Sequence, residues 1–432
     1  MNSQAFAVNS IKNDAVKSEK LRFILVMLFV FCLPFDRFYS NIILMLLALT
    51  TLIDLSASKF KAIPEQIWLF QLVFFLACMG YFFSYNKHEA GFMLEKQLTI
   101  LLFPFILPLA ITITNERIDV ILRTLTLTCI LSVLYLFSNV FYIIHLGGLP
   151  LNSMFSKEFF NHNFSAPLAI HAGYLSLYIA FSIIYLAKVF INQEDLFKKI
   201  AVLMCLSILF AGLFFLASRN IIIVTALILC FVFPLYFINQ KLLFFTSVII
   251  LLSVSLLTFS RIDYLKNRFS TDFVTEITLV DNASKEYVGV EPRAQRWKAA
   301  MELVEESPLF GYGTGDEILM LKAKYMKKGF YISYLESFNA HNQYLSYLLK
   351  NGIVGLLIFM FAFGYYFWLA IKSKSYVFVS FLILLLIGFL TENILDANKG
   401  IFFFAFFNTF LGYCALNQRK KDANKLKITQ PT

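Results

Sequence analysis

Charge is what this sequence has least of. Asp, Glu, Lys and Arg make up 15% of its 432 residues and apolar residues 59%, whereas soluble domains carry roughly 25% charged and 45–50% apolar residues. That excludes a soluble globular domain and points to a multi-span membrane protein. Cysteine is also sparse, and all six (Cys32, Cys78, Cys129, Cys205, Cys230, Cys414) fall inside apolar runs. None lies in the long polar segment late in the chain, which argues against a disulfide framework or a cysteine metal site there. Residues 1–20 are polar and lack the apolar core and small-residue cleavage site of a removable signal peptide, so the first span is expected to direct insertion. No pattern supports a β domain, and there is no internal repeat. The net charge of +10 does not imply a nucleic-acid partner, because most of the excess sits beside apolar runs, as the positive-inside bias of membrane proteins requires.

What the chain does have is long apolar runs. A hydrocarbon core about 30 Å thick takes roughly 20 apolar residues per helix, and on that ruler about twelve spans are expected. They are centred on 21–35, 39–55, 66–83, 97–114 and 118–144, on a run opened by His171, on the two halves of 200–238, and on 242–259, 353–371, 376–390 and 401–415. The run 200–238 is too long for one span and is interrupted at Ser218-Arg219-Asn220, so two helices meet there at a sharp turn. Pro104 and Pro108 are expected to kink the fourth span.

With the N-terminus inside, the inner segments hold 19 of the 37 Lys and Arg, the short outer loops 6 and the long polar segment 12. Short loops decide orientation, since long ones translocate largely regardless of charge. The expected architecture is therefore an all-α integral membrane protein. It has a cytoplasmic tail at 1–20, nine spans over 21–259, a large and partly helical periplasmic loop over 260–350, three spans over 351–416, and a basic cytoplasmic tail at 417–432. All five histidines fall on the outer side, as do Arg219, Glu392, Asp396 and Lys399.

Within the long loop, helical spacing is expected over 293–306, ending before Pro308. A second helix should run to 328, capped by Asp316, and a third from His341 to 350, before Asn351-Gly352. Several residues there and nearby could carry chemistry. Arg219 interrupts an apolar run at the membrane face, where it is either a functional cation with a partner or a snorkelling one. Arg293 and Arg296 read alone as loop-surface charges, but they share a compartment with Arg219 and a histidine. Guanidinium groups are planar, always charged and suited to phosphate, so two of them can hold a pyrophosphate without a metal. His341 has a reference pKa of about 6.5 that suits proton transfer, with Asn342 beside it to orient an imidazole or bind sugar hydroxyls; the plainer reading is an interfacial histidine. His171 and Tyr174 lie one turn apart at a span start, open to packing or substrate contact. Glu392 either pairs with an arginine or is a solvated turn carboxylate. Gly311, Gly313 and Gly315 resemble a nucleotide loop in letters only, since no strand precedes them; a tight turn packed on the membrane core fits better.

The order and spacing of these features resemble the O-antigen ligase and polymerase superfamily of bacterial envelope glycan assembly. The resemblance rests on Arg293 four residues before Trp297, Pro308 followed by Gly311-Tyr312-Gly313-Thr314-Gly315, and Asn339-Ala340-His341-Asn342 before a span entered at Gly352. Ser218-Arg219 is similar to the family's outer-face arginine between two spans. What the resemblance implies is transfer of a glycan from an undecaprenyl-pyrophosphate carrier to an acceptor hydroxyl, such as that of lipid A-core, at the outer face of the bacterial cytoplasmic membrane. Arg219 and Arg293 would bind the pyrophosphate leaving group. His341 would activate or orient the acceptor hydroxyl, giving inversion, with Arg296, Trp297, Asn342, His171, Tyr174 and Glu392 in support. No cofactor is implied, the lipid-linked donor being a substrate. The first outer loop offers Asp36 alone, next to Arg37, so metal independence is expected. Related proteins carry His-Pro-Thr-Tyr where this chain has His171-Ala172-Gly173-Tyr174, which leaves the role of His171 open. A polymerase and a protein O-oligosaccharyltransferase share the chemistry and differ in acceptor. A transporter would instead call for mid-membrane charges and broken helices at matching positions in two halves.

Overall fold

A computed structural model describes residues 2–55, 60–61, 63–237, 262–278 and 291–429, and the described residues contain helices and turns but no strand. The ninth expected span, 242–259, lies outside them. In chain order the helices used below are α1 (Asn2–Phe31), α2 (Arg37–Ile53), α3 (Leu72–Phe83), α4 (Lys87–Ala110), α5 (Asn115–Leu146), α6 (Ala172–Asn192) and α7 (Leu196–Leu216). They continue as α8 (Arg219–Tyr236), α9 (Asp263–Phe269), α10 (Thr271–Ile277), α11 (Arg293–Glu306), α12 (Glu317–Lys328), α13 (Tyr331–Leu335), α14 (Gln343–Lys372), α15 (Tyr376–Gly388) and α16 (Asn398–Thr429). Seven of them, α4 to α8, α14 and α16, are long and apolar enough to cross a membrane; α2, α3 and α15 are shorter apolar helices. The chain is a multi-pass membrane protein.

The core is built around α16. Its stretch 401–411 carries six phenylalanines spread over all faces, and a helix apolar all round is one that is enclosed all round. Phe406 meets Phe29 of α1 and Phe103 of α4 at ring-centroid distances of 5.5 and 5.6 Å. Phe403 meets Tyr178 and Phe181 of α6 at 4.9 and 5.7 Å, and Phe404 stacks on Phe363 of α14 at 5.6 Å. By contrast α7 leaves Leu203 and Met204 exposed, as a lipid-facing helix would.

The polar segment folds over one end of this bundle as a small helical lid. Ala299, Ala300, Leu303, Leu321, Tyr325 and Leu349 form its own apolar core between α11, α12 and the start of α14. The lid joins the bundle through a break in α14. At Gly352 the backbone turns to φ 62°, ψ −163°, which frees carbonyls before the break and N–H groups after it. The Gly311 loop supplies the missing partners: Tyr312 and Gly313 N–H donate to the carbonyls of Leu349 and Lys350 at 2.7 and 2.9 Å. Pro308 and Leu309 carbonyls accept from Ile353 and Val354 N–H at 2.8 and 3.3 Å. Close approach requires the glycines here, since a Cβ on Gly313 would meet the Ser84 Cα at 2.5 Å, and one on Gly352 would overlap the Leu309 carbonyl.

The helix expected over 293–306 is observed with those bounds, and α12 begins after Asp316 as expected. Asp316 does not cap α12, however. Its carboxylate accepts from the N–H groups of Tyr85 and Asn86 at 2.6 and 3.0 Å, two backbone donors in the turn before α4 that have no helical acceptor. His341 does not begin a helix; it sits in the left-handed region at φ 45°, two residues before α14. Residues 263–277, which carry no marked apolar period, form the short helices α9 and α10 that were not expected.

Candidate active site

A cavity of about 260 Å³ opens where the α7–α8 break, the start of α6, the turn after α15, and α10 and α11 of the polar segment converge. Its cationic side begins at the break. α7 ends in Ala217, whose left-handed backbone (φ 47°) reverses the chain, and α8 starts at Arg219 so that this side chain leaves the bundle at the cavity wall. Arg219 donates to the backbone carbonyl of Arg268 at 2.7 Å and to the Glu276 carboxylate at 2.6 Å. Arg293, first residue of α11 after Pro292, places its Nε 3.9 Å from the same Glu276 oxygen and donates through NH2 to Glu392 at 3.3 Å. One carboxylate oxygen thus stands between the two arginines expected to hold a pyrophosphate.

Glu392, in the turn between α15 and α16, also meets Nδ1 of His341 at 3.4 Å. Burial alone would raise this carboxyl, but the hydrogen bond and charge of His341, followed by the charge of Arg293, hold it well below the usual range, at about 2. A carboxylate can only accept, so Nδ1 carries a proton toward Glu392 and Nε2 is the ring nitrogen left for a substrate. The pairing reading of Glu392 is therefore the observed one.

Two histidines and a tyrosine complete the lining. His171 and His162 lie 4.3 Å apart between ring centroids, and Tyr174 is 5.4 Å from His171. Burial and then the neighbouring His171 push His162 down to about 4, and burial lowers His171 as well. His171 Nδ1 accepts from Gly173 N–H at 3.1 Å as the N-cap of α6, which leaves the ring proton on Nε2.

Three expected residues act on the frame of the site. Asn342 spends its side-chain oxygen capping α14, accepting from Tyr344 and Leu345 N–H at 3.0 and 3.2 Å, so that atom is not free for an imidazole or a sugar. Trp297 lines the cavity and donates from Nε1 to the Ala340 carbonyl at 2.8 Å, fixing the residue before His341. Arg296 is not a surface charge; it is buried with its guanidinium 5.1 Å from the centre of the Phe338 ring, which in turn packs edge-on against His341. Below them, Lys350 is buried between Glu317 at 3.0 Å and Asp396 at 2.8 Å, and Asn342 N–H donates to Asn393 at 2.8 Å. These contacts tie the lid to the turn that carries Glu392.

The structure brings Arg219, Arg293, His341, His171, Tyr174 and Glu392 to one site, and adds Glu276, Arg268 and His162. The glycines Gly311, Gly313 and Gly315 lie apart from the cavity, packed on α14 and on the Ser84–Ala90 segment. Among the described residues no group of three or more His, Cys, Asp or Glu could hold a metal ion. Residues 200–360 match the family model described as O-antigen ligase, so the resemblance to that superfamily holds over a segment running from α7 into α14 and including Arg219, Glu276, Arg293 and His341. No curated protein matches the chain.

Proposed function

We propose that this protein is an inverting glycosyltransferase that moves an O-antigen-type glycan from undecaprenyl pyrophosphate to a hydroxyl of lipid A-core. The reading places it as a twelve-span protein in the bacterial cytoplasmic membrane, with both termini inside and the cavity at the periplasmic face. The observation that carries it is the pair Arg219 and Arg293 converging on one acidic oxygen, with the His341–Glu392 pair adjoining. In this reaction the acceptor oxygen bonds to the anomeric carbon from the face opposite the pyrophosphate. The carbon–oxygen bond to the pyrophosphate breaks with its electron pair going to the phosphate oxygen. The hydroxyl proton passes to Nε2 of His341, and Glu392 stabilises the imidazolium that results. Charge grows on the departing pyrophosphate, and preorganised cations at that point are the largest contribution to such a rate. Two arginines supply that charge without a metal.

The family match and the cavity's chemistry support the transfer, and the lipid A-core acceptor is the part most exposed to test. In a deletion strain, loss of a ligase leaves long polymer on the lipid carrier, whereas loss of a polymerase leaves single-repeat caps on lipopolysaccharide. Long carrier-linked polymer is the expected result. Complementation with Arg293→Ala or His341→Ala should fail although the protein reaches the membrane normally, and restored lipopolysaccharide ladders would remove that residue from the reaction. Transfer should persist in EDTA; loss restored by a divalent ion would overturn the metal-independent mechanism.

A further inference from the structure

The cavity holds an anion of the protein's own where the donor's pyrophosphate is assigned. Glu276 Oε2 accepts from Arg219 NH2 at 2.6 Å and lies 3.9 Å from Arg293 Nε, and Arg268 lines the same cavity. A carboxylate and a phosphate both offer a guanidinium fork a pair of acceptor oxygens that it can bind in bidentate fashion. The three groups differ in how they are carried. Arg219 stands at the end of a membrane-crossing helix and Arg293 on the fourteen-residue α11, whereas Glu276 sits on the seven-residue α10. The side chains of α10 at Asp272, Val274 and Thr275 are exposed, and Glu276 itself is half exposed. The arginines are thus fixed by the bundle and the lid core, and their acidic partner stands on a lightly packed element at the rim.

We propose that Glu276 is a displaceable counter-ion that occupies one phosphate position of the donor site and sets its selectivity and turnover. This rests on the assignment of Arg219 and Arg293 to the pyrophosphate. With the site empty, Glu276 supplies the acidic oxygen that lies between the two arginines, Arg293 also pairing with Glu392. A donor has to displace it, which a pyrophosphate with its greater charge does more readily than a monophosphate. After transfer, the returning carboxylate competes with the bound undecaprenyl pyrophosphate and speeds its release. Glu276 is accordingly a specificity-determining residue that binds the arginines and touches no reacting atom.

The test is binding of inorganic pyrophosphate and of inorganic phosphate to the full-length protein in lipid nanodiscs, by calorimetry, for wild type, Glu276→Gln, Glu276→Asp and Arg293→Ala. Glu276→Gln should bind pyrophosphate about tenfold more tightly, which is about 1.4 kcal/mol, and should bind phosphate with a smaller preference for pyrophosphate. Glu276→Asp, which keeps the charge, should stay near wild type, and Arg293→Ala should lose binding. In the transfer reaction KM for the donor should fall in Glu276→Gln and kcat should fall with it, because release becomes slow. Equal or weaker pyrophosphate binding in Glu276→Gln, with wild type still binding, overturns the counter-ion role and leaves the arginine assignment standing. No pyrophosphate binding by wild type and Glu276→Gln alike overturns the arginine assignment itself. A thermal melt of each variant separates loss of binding from loss of fold.

Discussion

Among the pieces of the long segment between α8 and α14 that reach the membrane bundle, the Gly311 loop and α10 are held by different forces. The Gly311 loop is stitched in by backbone: Tyr312 and Gly313 pair with the broken turn of α14, Thr314 N–H donates to the Gly80 carbonyl at 3.2 Å, and Gly315 N–H donates to Ser84 Oγ at 2.9 Å. The described contacts of α10 with the cavity run instead through the carboxylate of Glu276 and the arginines. Backbone hydrogen bonds in a dry interface are lost only together, because each broken group is left without water to replace its partner. Ion pairs at a half-exposed rim exchange readily with solvent or a ligand. The difference teaches where the site is rigid and where it gives: the lid is fixed on the α3–α4 side and adjustable on the α10 side. Substitutions on the stitched side should therefore be read out as stability, and those on the charged side as activity.

The largest break of that contrast is Gly313→Val. Its backbone lies at φ 104°, where branched residues are strained, and its Cβ would strike Ser84 at the Cα and N, 2.5 and 2.6 Å away. A loss of more than about 4 kcal/mol is expected, read as little folded protein by size-exclusion chromatography. Arg219→Ala sharpens the other side. Transfer should fall by about 10²–10³-fold, the usual effect of removing one preorganised charge from a transition state, while the melting temperature moves by only a few degrees. A melting temperature that fell as far as in Gly313→Val would erase the distinction.

Glu392 stands between these extremes, being both a partner of the site and a link in the fold. Its folded pKa of about 2 lies below the ordinary 4.5. A depressed carboxyl contributes stability that is fully present above the unfolded value and is lost as pH falls through the folded one. The contribution is about 3 kcal/mol, present above about pH 4.5 and gone near pH 2. Melting curves of wild type and Glu392→Gln should therefore differ most above about pH 5 and converge as pH falls toward 2; a constant gap would mean that the carboxylate charge is not what stabilises the turn.

How much of this could be read from the sequence depended on whether the signal was local. Helix α11 was legible with its bounds because Pro292 and Pro308 bracket an apolar period, and the α7–α8 break because an arginine interrupts an apolar run. The gathering of Arg219, Arg293 and His341 followed from placing their loops on one side. Glu276, Arg268 and His162 were not legible as site residues. Each is an ordinary polar residue in a segment without period, and its role comes from a partner that only tertiary structure supplies. His162 had a trace of signal, as one of five histidines all assigned to the outer side. Arg296 read alone as a surface charge because sequence shows its charge but not the Phe338 ring and lid core that enclose it.

Asp316 shows the same limit, and gives the smallest of these effects. An acidic residue directly before a helix reads as its N-cap, and the position is right. The carboxylate finds better partners far away in sequence, where Tyr85 and Asn86 present two adjacent N–H groups and one oxygen goes to each. Asparagine keeps the shape but offers one oxygen, so one N–H would face an NH2 donor. Asp316→Asn should therefore cost about 1–3 kcal/mol, seen as a lower melting temperature with transfer per folded molecule unchanged. If Asp316 acted on α12 alone, asparagine, which is as good an N-cap as aspartate, would leave the melting temperature where it is. The substitution thus separates a local cap from a long-range stitch.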